Sequence, residues 1–352
     1  MLKAVVRRGI DFRFDRRHRR EAAEALRTVE RQAEKTLPSR VRRQSEEYAV
    51  EVLGSRVFAP WLFLYSAVAG EFREGWIPDN FYGRVVCPNI NGAFRAFSGI
   101  RTMTYRLFRS DRIPDVAYLI EGRLFDRHLH DISLGNAERK MFSDSDEVAI
   151  KREGSGQGRG VQFLSRKNFD PVALAASTAN AVIQTRITQH PIFDTFVPRG
   201  AVTLRLTTVR ELDATFHVRA AYLRIPYGNH KFVRSASSAR VAVDLSSGAL
   251  ADSGYLSDWT AVIRHPESDT PFSGLSIPGF SDAVRVCQDL HATVPQVGCI
   301  GWDVILDGKS GAWILEWNAD HNDVKFSEAV TGPCFRNLNW ERLRPARYTW
   351  QL

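Results

Sequence analysis

From residue 148 onward, apolar and polar positions alternate with a period of two. VAIK, VQFL, AVIQTRI, AVTLRLTTV, FHVRAAYLRI and ARVAVDL follow one another with turn residues between them, the pattern of strands that bury one face. A helical period returns in FSDAVRVCQDLHATV (Phe280–Val294), and the strands GWDVIL and AWILEWN follow it. Before residue 111 the pattern differs. RRHRREAAEALRTVERQAEKT (Arg16–Thr36) places Glu and Arg at helical spacing. Residues 44–110 read as largely helical, with turn chemistry at GWIPDNFYG (Gly75–Gly83) and CPNING (Cys87–Gly92). A mixed segment over 111–150 leads into VAIK. Strands and helices without regular alternation predict an α+β fold rather than a doubly wound one.

Composition changes this picture little. The chain has 352 residues, 44% hydrophobic and 25% charged, enough for two or three sub-domains. VFAPWLFLYSAVAG (Val57–Gly70) is the nearest approach to a membrane span. It falls short of the roughly 18 residues required and reads as a buried helix. Charge is more informative. Residues 1–43 hold 14 Lys and Arg against 6 Asp and Glu, and the rest balances at 34 against 34. The net charge of +8 therefore belongs to a basic N-terminal helix, read either as a solvated helix packed along the body or as a contact with an anionic surface. No recognised nucleic-acid motif accompanies it, so no specific nucleic acid is expected. The N-terminus lacks an apolar signal core, and the four cysteines (Cys87, Cys287, Cys299, Cys334) are scattered. Both features predict a cytoplasmic protein without a disulfide framework.

Two stretches carry chemistry. In VAIKREGSGQGRGVQFL (Val148–Leu164), Gly154, Gly156, Gly158 and Gly160 recur at every second position beside Ser155, with Lys151 at the entrance. No Lys-Ser/Thr follows, as a Walker A loop needs, and a strand rather than a helix comes next. Strand–loop–strand is a hairpin flap able to cover a triphosphate, with Lys151 as a point charge. GWDVILDGKSGAWILEWNADHND (Gly301–Asp323) reads as two strands joined by a tight turn. With Asp307 facing Ala312, Asp303 falls opposite Glu316, and Asn318 projects to the same side. Two carboxylates and an amide form an all-oxygen set suited to Mg2+ holding a nucleotide's phosphates. Trp302, Ile305, Trp313, Leu315 and Trp317 surround them. Unpaired carboxylates there are costly, so a cation, either a metal or an Arg/Lys, is expected between them.

Taken with VIQTRITQHPIFD and AVTLRLTT, these motifs resemble the ATP-grasp superfamily over about residues 45–335, and more narrowly its sugar-transfer associated group. The resemblance implies an ATP-grasp fold, with two α+β lobes gripping ATP between antiparallel sheets. It divides the chain into a basic helix or tail (1–43), a helical region (44–110), a central lobe with the flap (111–181), a C-terminal lobe with the metal hairpin (182–335) and a tail (336–352). It implies that Lys151 contacts the α/β-phosphates under a cover running from Gly154 to Gly160. Gln184, Thr185, Arg186 and Ile187 would lie between the lobes at adenine and ribose, with His190 at the ribose or capping the hinge. Asp303, Glu316 and Asn318 would hold Mg2+, and Arg205 would neutralise the γ-phosphate or the acyl phosphate. His321 follows the hairpin and suits substrate contact or proton transfer.

Three positions depart from the family pattern. Arg101 stands where an upstream phosphate-binding lysine is expected, and Gln184 where a hinge carboxylate is common. RSASSAR lacks a glycine pair, leaving Lys231 or Arg240 as a second phosphate-side cation. The implied activity is an ATP-dependent ligase that joins a small-molecule carboxylate to an amine through an acyl phosphate and releases ADP, on a saccharide or a saccharide precursor. A phosphotransferase acting on a sugar hydroxyl and a non-catalytic nucleotide-binding module are the alternatives.

Overall fold

The computed structural model describes residues 2–345, apart from 156–159, 178, 229, 231, 235 and 310, with side chains from residue 12 onward. Two antiparallel sheets organise it. The first comprises β1 (Asp115–Ile120), β2 (Arg123–Asp126), β3 (Glu147–Arg152), β4 (Val161–Ser165) and β5 (Ala181–Thr185), in the order β2-β1-β5-β3-β4. The glycine-rich loop joins β3 to β4 as a hairpin, with Lys151 paired to Val161. Strand β5 is hydrogen-bonded on both sides, to β1 and β3. The expected lobe boundary at 181/182 is therefore corrected to beyond Thr185: this buried strand completes the central sheet. One face of that sheet packs Ala117, Leu119, Val148, Ile150 and Ile183 against Ala137 and Met141 of the helix Leu134–Met141.

The second sheet comprises β6 (Thr203–Arg210), β7 (Phe216–Pro226), β8 (Ser238–Val243), β9 (Leu250–Tyr255), β10 (Ala261–Val262), β11 (Cys299–Leu306) and β12 (Ala312–Asn318). Its order is β10-β9-β8-β7-β6-β11-β12. Alternation assigns its two faces. Leu204, Leu206, Ile300, Trp302 and Val304 pack beneath the helix Phe280–Ala292, whose Ala283, Val286, Cys287 and Leu290 form its apolar stripe. The opposite face is covered at one end by N-terminal helices and opens at the other into a cleft.

Those helices are α1 (Leu2–Gln32), α2 (Ser39–Glu51) and α3 (Ala59–Ala69). Helix α3, apolar on nearly every side, buries Trp61, Leu62, Leu64 and Tyr65. Pro60 in its first turn and Gly70 at φ +78° set its ends. Helix α1 is docked along the body, as one of its two expected readings had it. Ala22, Ala25 and Leu26 are buried, and the Gln32 side chain exchanges two hydrogen bonds with the Ala261 backbone (2.8 and 2.7 Å). The expected C-terminal tail likewise belongs to the body as far as Trp340, which stacks on Phe335 at 4.6 Å. Buried Asn91 fastens the helical region to the second sheet. Its amide donates to Cys299 O (2.9 Å) and Ala319 O (2.6 Å) and accepts from Gly298 N (2.8 Å) and Cys299 N (3.0 Å). Among the described residues, no helix is long and apolar enough to cross a membrane.

Candidate nucleotide site

The cleft between the sheets has a volume of about 1180 Å³. Its floor is the β11–β12 hairpin. Asp303 pairs with Glu316, and Gly301 with Asn318, so all three expected oxygen donors share the cleft face. The route to that register differs from the expected one. Leu306, not Asp307, faces Ala312, and a β-bulge at Leu315 then adds one residue and restores the Asp303–Glu316 pairing. Asp307 instead ties the turn: Oδ1 accepts from Lys309 N and Gly311 N (both 2.8 Å), and Oδ2 from Trp313 Nε1 (2.9 Å).

Arginines of the chain itself supply the expected cation. Arg205 on β6 lies beside β11 and grips Asp303 with both ends of its fork, Nε to Oδ1 at 2.8 Å and Nη2 to Oδ2 at 3.2 Å. Its third nitrogen donates to Asn322 O at 2.8 Å. Arg224 on β7 adds contacts at 3.2 and 3.3 Å. Burial alone would raise the Asp303 pKa, but Arg205 and Arg224 outweigh it and hold the carboxyl down at about 2. Gly301 is required here because a Cβ would lie 2.8 Å from the Asn322 Cβ and 3.2 Å from Arg205 Nη1.

Glu316 pairs with Arg101, whose Nη2 lies 3.1 Å from Oε1. The same guanidinium donates to Arg152 O (3.0 Å) and Ser155 O (2.8 Å) in the flap. The residue in place of the upstream lysine therefore reaches the site and bridges flap and floor. Lys151 enters from β3 and donates to Leu315 O at 3.1 Å. Burial lowers its pKa, against the pull of Glu316. Gly154, at φ +68°, opens the flap turn, and Ser155 and Gly160 line the cleft. Gly156 and Gly158, like Lys231, lie outside the described residues.

Gln184, Thr185, Arg186 and Ile187 line the cleft where the chain passes between the sheets. Gln184 Nε2 donates to Asp115 Oδ1 (2.8 Å) and Leu315 O (3.3 Å), leaving its Oε1 buried without a partner. Asp115, fully buried, is pushed up to about 6 by desolvation, against its hydrogen bonds from Gln184 and Tyr118. The Arg186 side chain is committed to Glu147 and Arg199 O, so this position offers backbone to a ligand. His190 takes the capping role of its two expected ones: its Nδ1 accepts from Ile192 N at 3.2 Å at the turn that starts at Pro191. The ribose-contact alternative is not supported, because His190 does not line the cleft. His321 lies at the cleft's far end, beside Asp79.

Sequence reasoning missed several lining residues. Arg240 was weighed only as an alternative to Lys231, yet it is buried in the wall against Trp259 and Phe326. Asp115, Asp79 and His18 gave no signal, because their partners lie far away in sequence.

The donor set fits a hard divalent cation. Asp303 and Glu316 are direct cross-strand neighbours. Asn318 donates through Nδ2 to Gly301 O at 3.3 Å, which leaves its amide oxygen as the free acceptor.

Two antiparallel sheets closing on a cleft of this make, one supplying a glycine-rich hairpin and the other a carboxylate hairpin, define an ATP-grasp-type fold. Residues 171–341 match the sugar-transfer associated ATP-grasp family model; the flap, Lys151 and Arg101 precede the matched segment. No curated protein matches the chain. Among solved structures it is similar to the ATP-grasp ligase PsnB complexed with minimal precursor, at 13% identity and TM-score 0.38, covering 70% of this chain and 60% of that one. It is also similar to purK, an N5-carboxyaminoimidazole ribonucleotide synthetase in complex with ADP, at 11% identity, TM-score 0.40 and coverage of 70% and 53%. A third is the biotin carboxylase domain of Hydrogenobacter thermophilus 2-oxoglutarate carboxylase, at 11% identity, TM-score 0.39 and coverage of 70% and 46%. The chain thus spans between 46% and 60% of the length of these structures.

Proposed function

We propose that the cleft binds ATP with Mg2+ and that the protein is an ATP-dependent carboxylate–amine ligase, with a saccharide or saccharide precursor as the molecule acted on. The observation that carries this reading is the convergence of Lys151, Arg101, Arg205 and Arg224 on a floor bearing Asp303, Glu316 and Asn318. Cations there face a polyanion, while the oxygen donors take its metal. When bound, Mg2+ supplies charge neutralisation and holds the phosphates in one geometry.

The chain's own residues then have distinct tasks. The backbone of 184–187 and the unpartnered Gln184 Oε1 offer hydrogen bonds to the base. Lys151 and the flap hold the phosphates. Arg205 and Arg224 stand where charge develops on the transferring phosphoryl group, and fixed cations of this kind supply most of the catalysis in such transfers. A carboxylate attacks the γ-phosphorus, ADP leaves, and an amine displaces phosphate from the acyl carbon. No covalent intermediate with a side chain is required. The four cysteines are all buried, consistent with a structural role.

The test begins with thermal stability in ATP, with and without Mg2+, for wild type and Glu316→Gln. Ligand at a hundred times its Kd stabilises by about 2.7 kcal/mol. A chain of this length unfolds with roughly 0.7 kcal/mol per degree, so the shift is about 4 °C. A magnesium-dependent shift, diminished in the variant, is expected; no shift with any nucleotide refutes the reading. Carboxylates are then screened for ADP release with hydroxylamine present. A hydroxamate identifies the acyl phosphate, whereas a phosphorylated sugar would replace the ligase with a phosphotransferase.

A further inference from the structure

The cleft continues past the phosphate-side cations. Its far arm runs under α1, where Arg17, His18 and Glu21 lie across from Asp79, His321 and Lys325. Asp79 at its base is 0% exposed. Its Oδ1 accepts from Val324 N at 3.1 Å, and its own N–H donates to the Tyr65 hydroxyl at 3.2 Å. Oδ2 has no hydrogen-bond partner and lies 3.6 Å from both His18 Nδ1 and His321 Nε2. A buried carboxylate oxygen left bare is costly, and among the described residues these two rings are the groups placed to serve it.

His18 cannot do so. Trp61 Nε1 donates to its Nδ1 at 3.2 Å and occupies that lone pair. Burial pushes the His18 pKa down to about 4, keeping the ring neutral. His321 remains. Its Nε2 faces two acceptors of one residue, Asp79 O at 3.3 Å and Oδ2 at 3.6 Å. The ring proton therefore sits on Nε2, and Nδ1 keeps a free lone pair.

Of the other charges in the arm, Arg17 Nη2 lies 3.5 Å from His18 Nε2 and Lys325 is engaged with two carboxylates. Lys325 Nζ is held by Glu21 at 2.9 Å and Asp323 at 3.2 Å. His18 and Tyr82 complete the surroundings, with Tyr82 edge-on at 5.8 Å. The ring's seat is also specific. A Cβ on Gly83 would fall 2.4 Å from His321 Cδ2. Gly83 sits in the π-helical turn Tyr82–Val86, a geometry frequent at functional sites.

We propose that the arm beneath α1 is the acceptor subsite for an amine, and that His321, oriented by the positioning residue Asp79, takes the proton the amine sheds. This rests on the ligase reading. As the C–N bond forms, the acyl C–O bond breaks, phosphate leaves with the electron pair, and the nitrogen's proton passes to His321 Nδ1. The imidazolium so formed faces the Asp79 carboxylate, which stabilises it.

The tautomer of His321 decides the matter without any substrate. Long-range 1H–15N NMR at alkaline pH, with His321→Gln for assignment, distinguishes the protonated ring nitrogen from the bare one. Wild type is expected to carry its proton on Nε2. Asp79→Asn retains the backbone carbonyl at 3.3 Å from Nε2, so the proton should stay on Nε2 there too. An Nδ1–H tautomer in wild type or in a folded Asp79→Asn protein overturns the proposal. Stoichiometric Zn2+ shifting His18 and His321 together, without nucleotide, overturns it in favour of a metal site. ATP-induced stabilisation of the same samples reports separately on the nucleotide site. Its loss would remove the ligase reading while leaving the tautomer result intact.

Discussion

Replacing Asp303 with asparagine tests the charge balance of the cleft. In the ligand-free protein this carboxylate is the shared counter-ion of Arg205 and Arg224, whose side chains are 8% and 13% exposed. Removing one partner of a buried pair costs about 3–5 kcal/mol. Asparagine still offers one oxygen to Arg205, which places the cost near 3 kcal/mol. At roughly 0.7 kcal/mol per degree for this chain length, the unliganded Tm should fall by about 4 °C. Nucleotide binding should change in the opposite sense. In wild type, Asp303 competes with phosphate for the arginines until a cation neutralises it; in Asp303→Asn no negative charge competes. A unit charge about 5 Å away at an effective dielectric constant near 20 amounts to about 3 kcal/mol, so a gain of at least tenfold in metal-free ATP affinity is a conservative expectation. Isothermal titration in EDTA and then in Mg2+ measures it. The variant should bind ATP more tightly than wild type in EDTA and respond little to Mg2+. An unchanged Tm, or a magnesium response equal to that of wild type, refutes the argument. The pair also leaves a pH signature. The Asp303 pKa is depressed to about 2, so its contribution of about 2 kcal/mol is present above pH 4 and fades as pH falls towards 2. The variant should lack that slope.

Other residues give independent tests. Arg101→Met cuts the flap's tether to Glu316, Arg152 O and Ser155 O, and limited proteolysis within 152–160 should accelerate several-fold with little change in Tm. Asp115 is raised to about 6 by burial, so its contribution of about 3 kcal/mol holds below pH 4 and is lost as pH rises through 6. Asp115→Asn should abolish that loss in urea denaturation compared at pH 4.5 and 7.5. Gly301→Ala places a methyl against Asn322 and Arg205. A cost of about 1–3 kcal/mol and weaker ATP binding should both appear; a neutral result in either would show that the floor can yield there.

How much of this was legible varies with the range of the forces involved. The AWILEWN strand was readable because alternation and a short turn are local, and Ala312–Asn318 is β12 as expected. The bulge at Leu315 was not, since its register is set by pairing with β11 while β11 also pairs with β6. The two-residue strand β10 and neighbouring β9 lacked a clear period because part of β9, Asp252 and Ser253, is exposed. Strand β5 looked like the start of the second lobe because its sequence continues into the linker, and only its ladder partners assign it to the first. The Asp79 cluster was hidden most fully. GWIPDNFYG has the composition of a turn, yet Asp79–Phe81 is helical and buried, held by Tyr65, Val324 and His321 from distant segments.

Arg101 spans two bodies with one planar group, and that geometry has a thermodynamic corollary. Glu316 cannot give its charge fully to Arg101 and to another cation at once. Whatever draws Glu316 away weakens the hold on the flap carbonyls, and whatever lifts the flap leaves Glu316 more available. The two events share one coupling free energy, so each must favour the other by the same factor. Opening of the entrance and readiness of the floor are thereby two readings of a single equilibrium, written into one guanidinium.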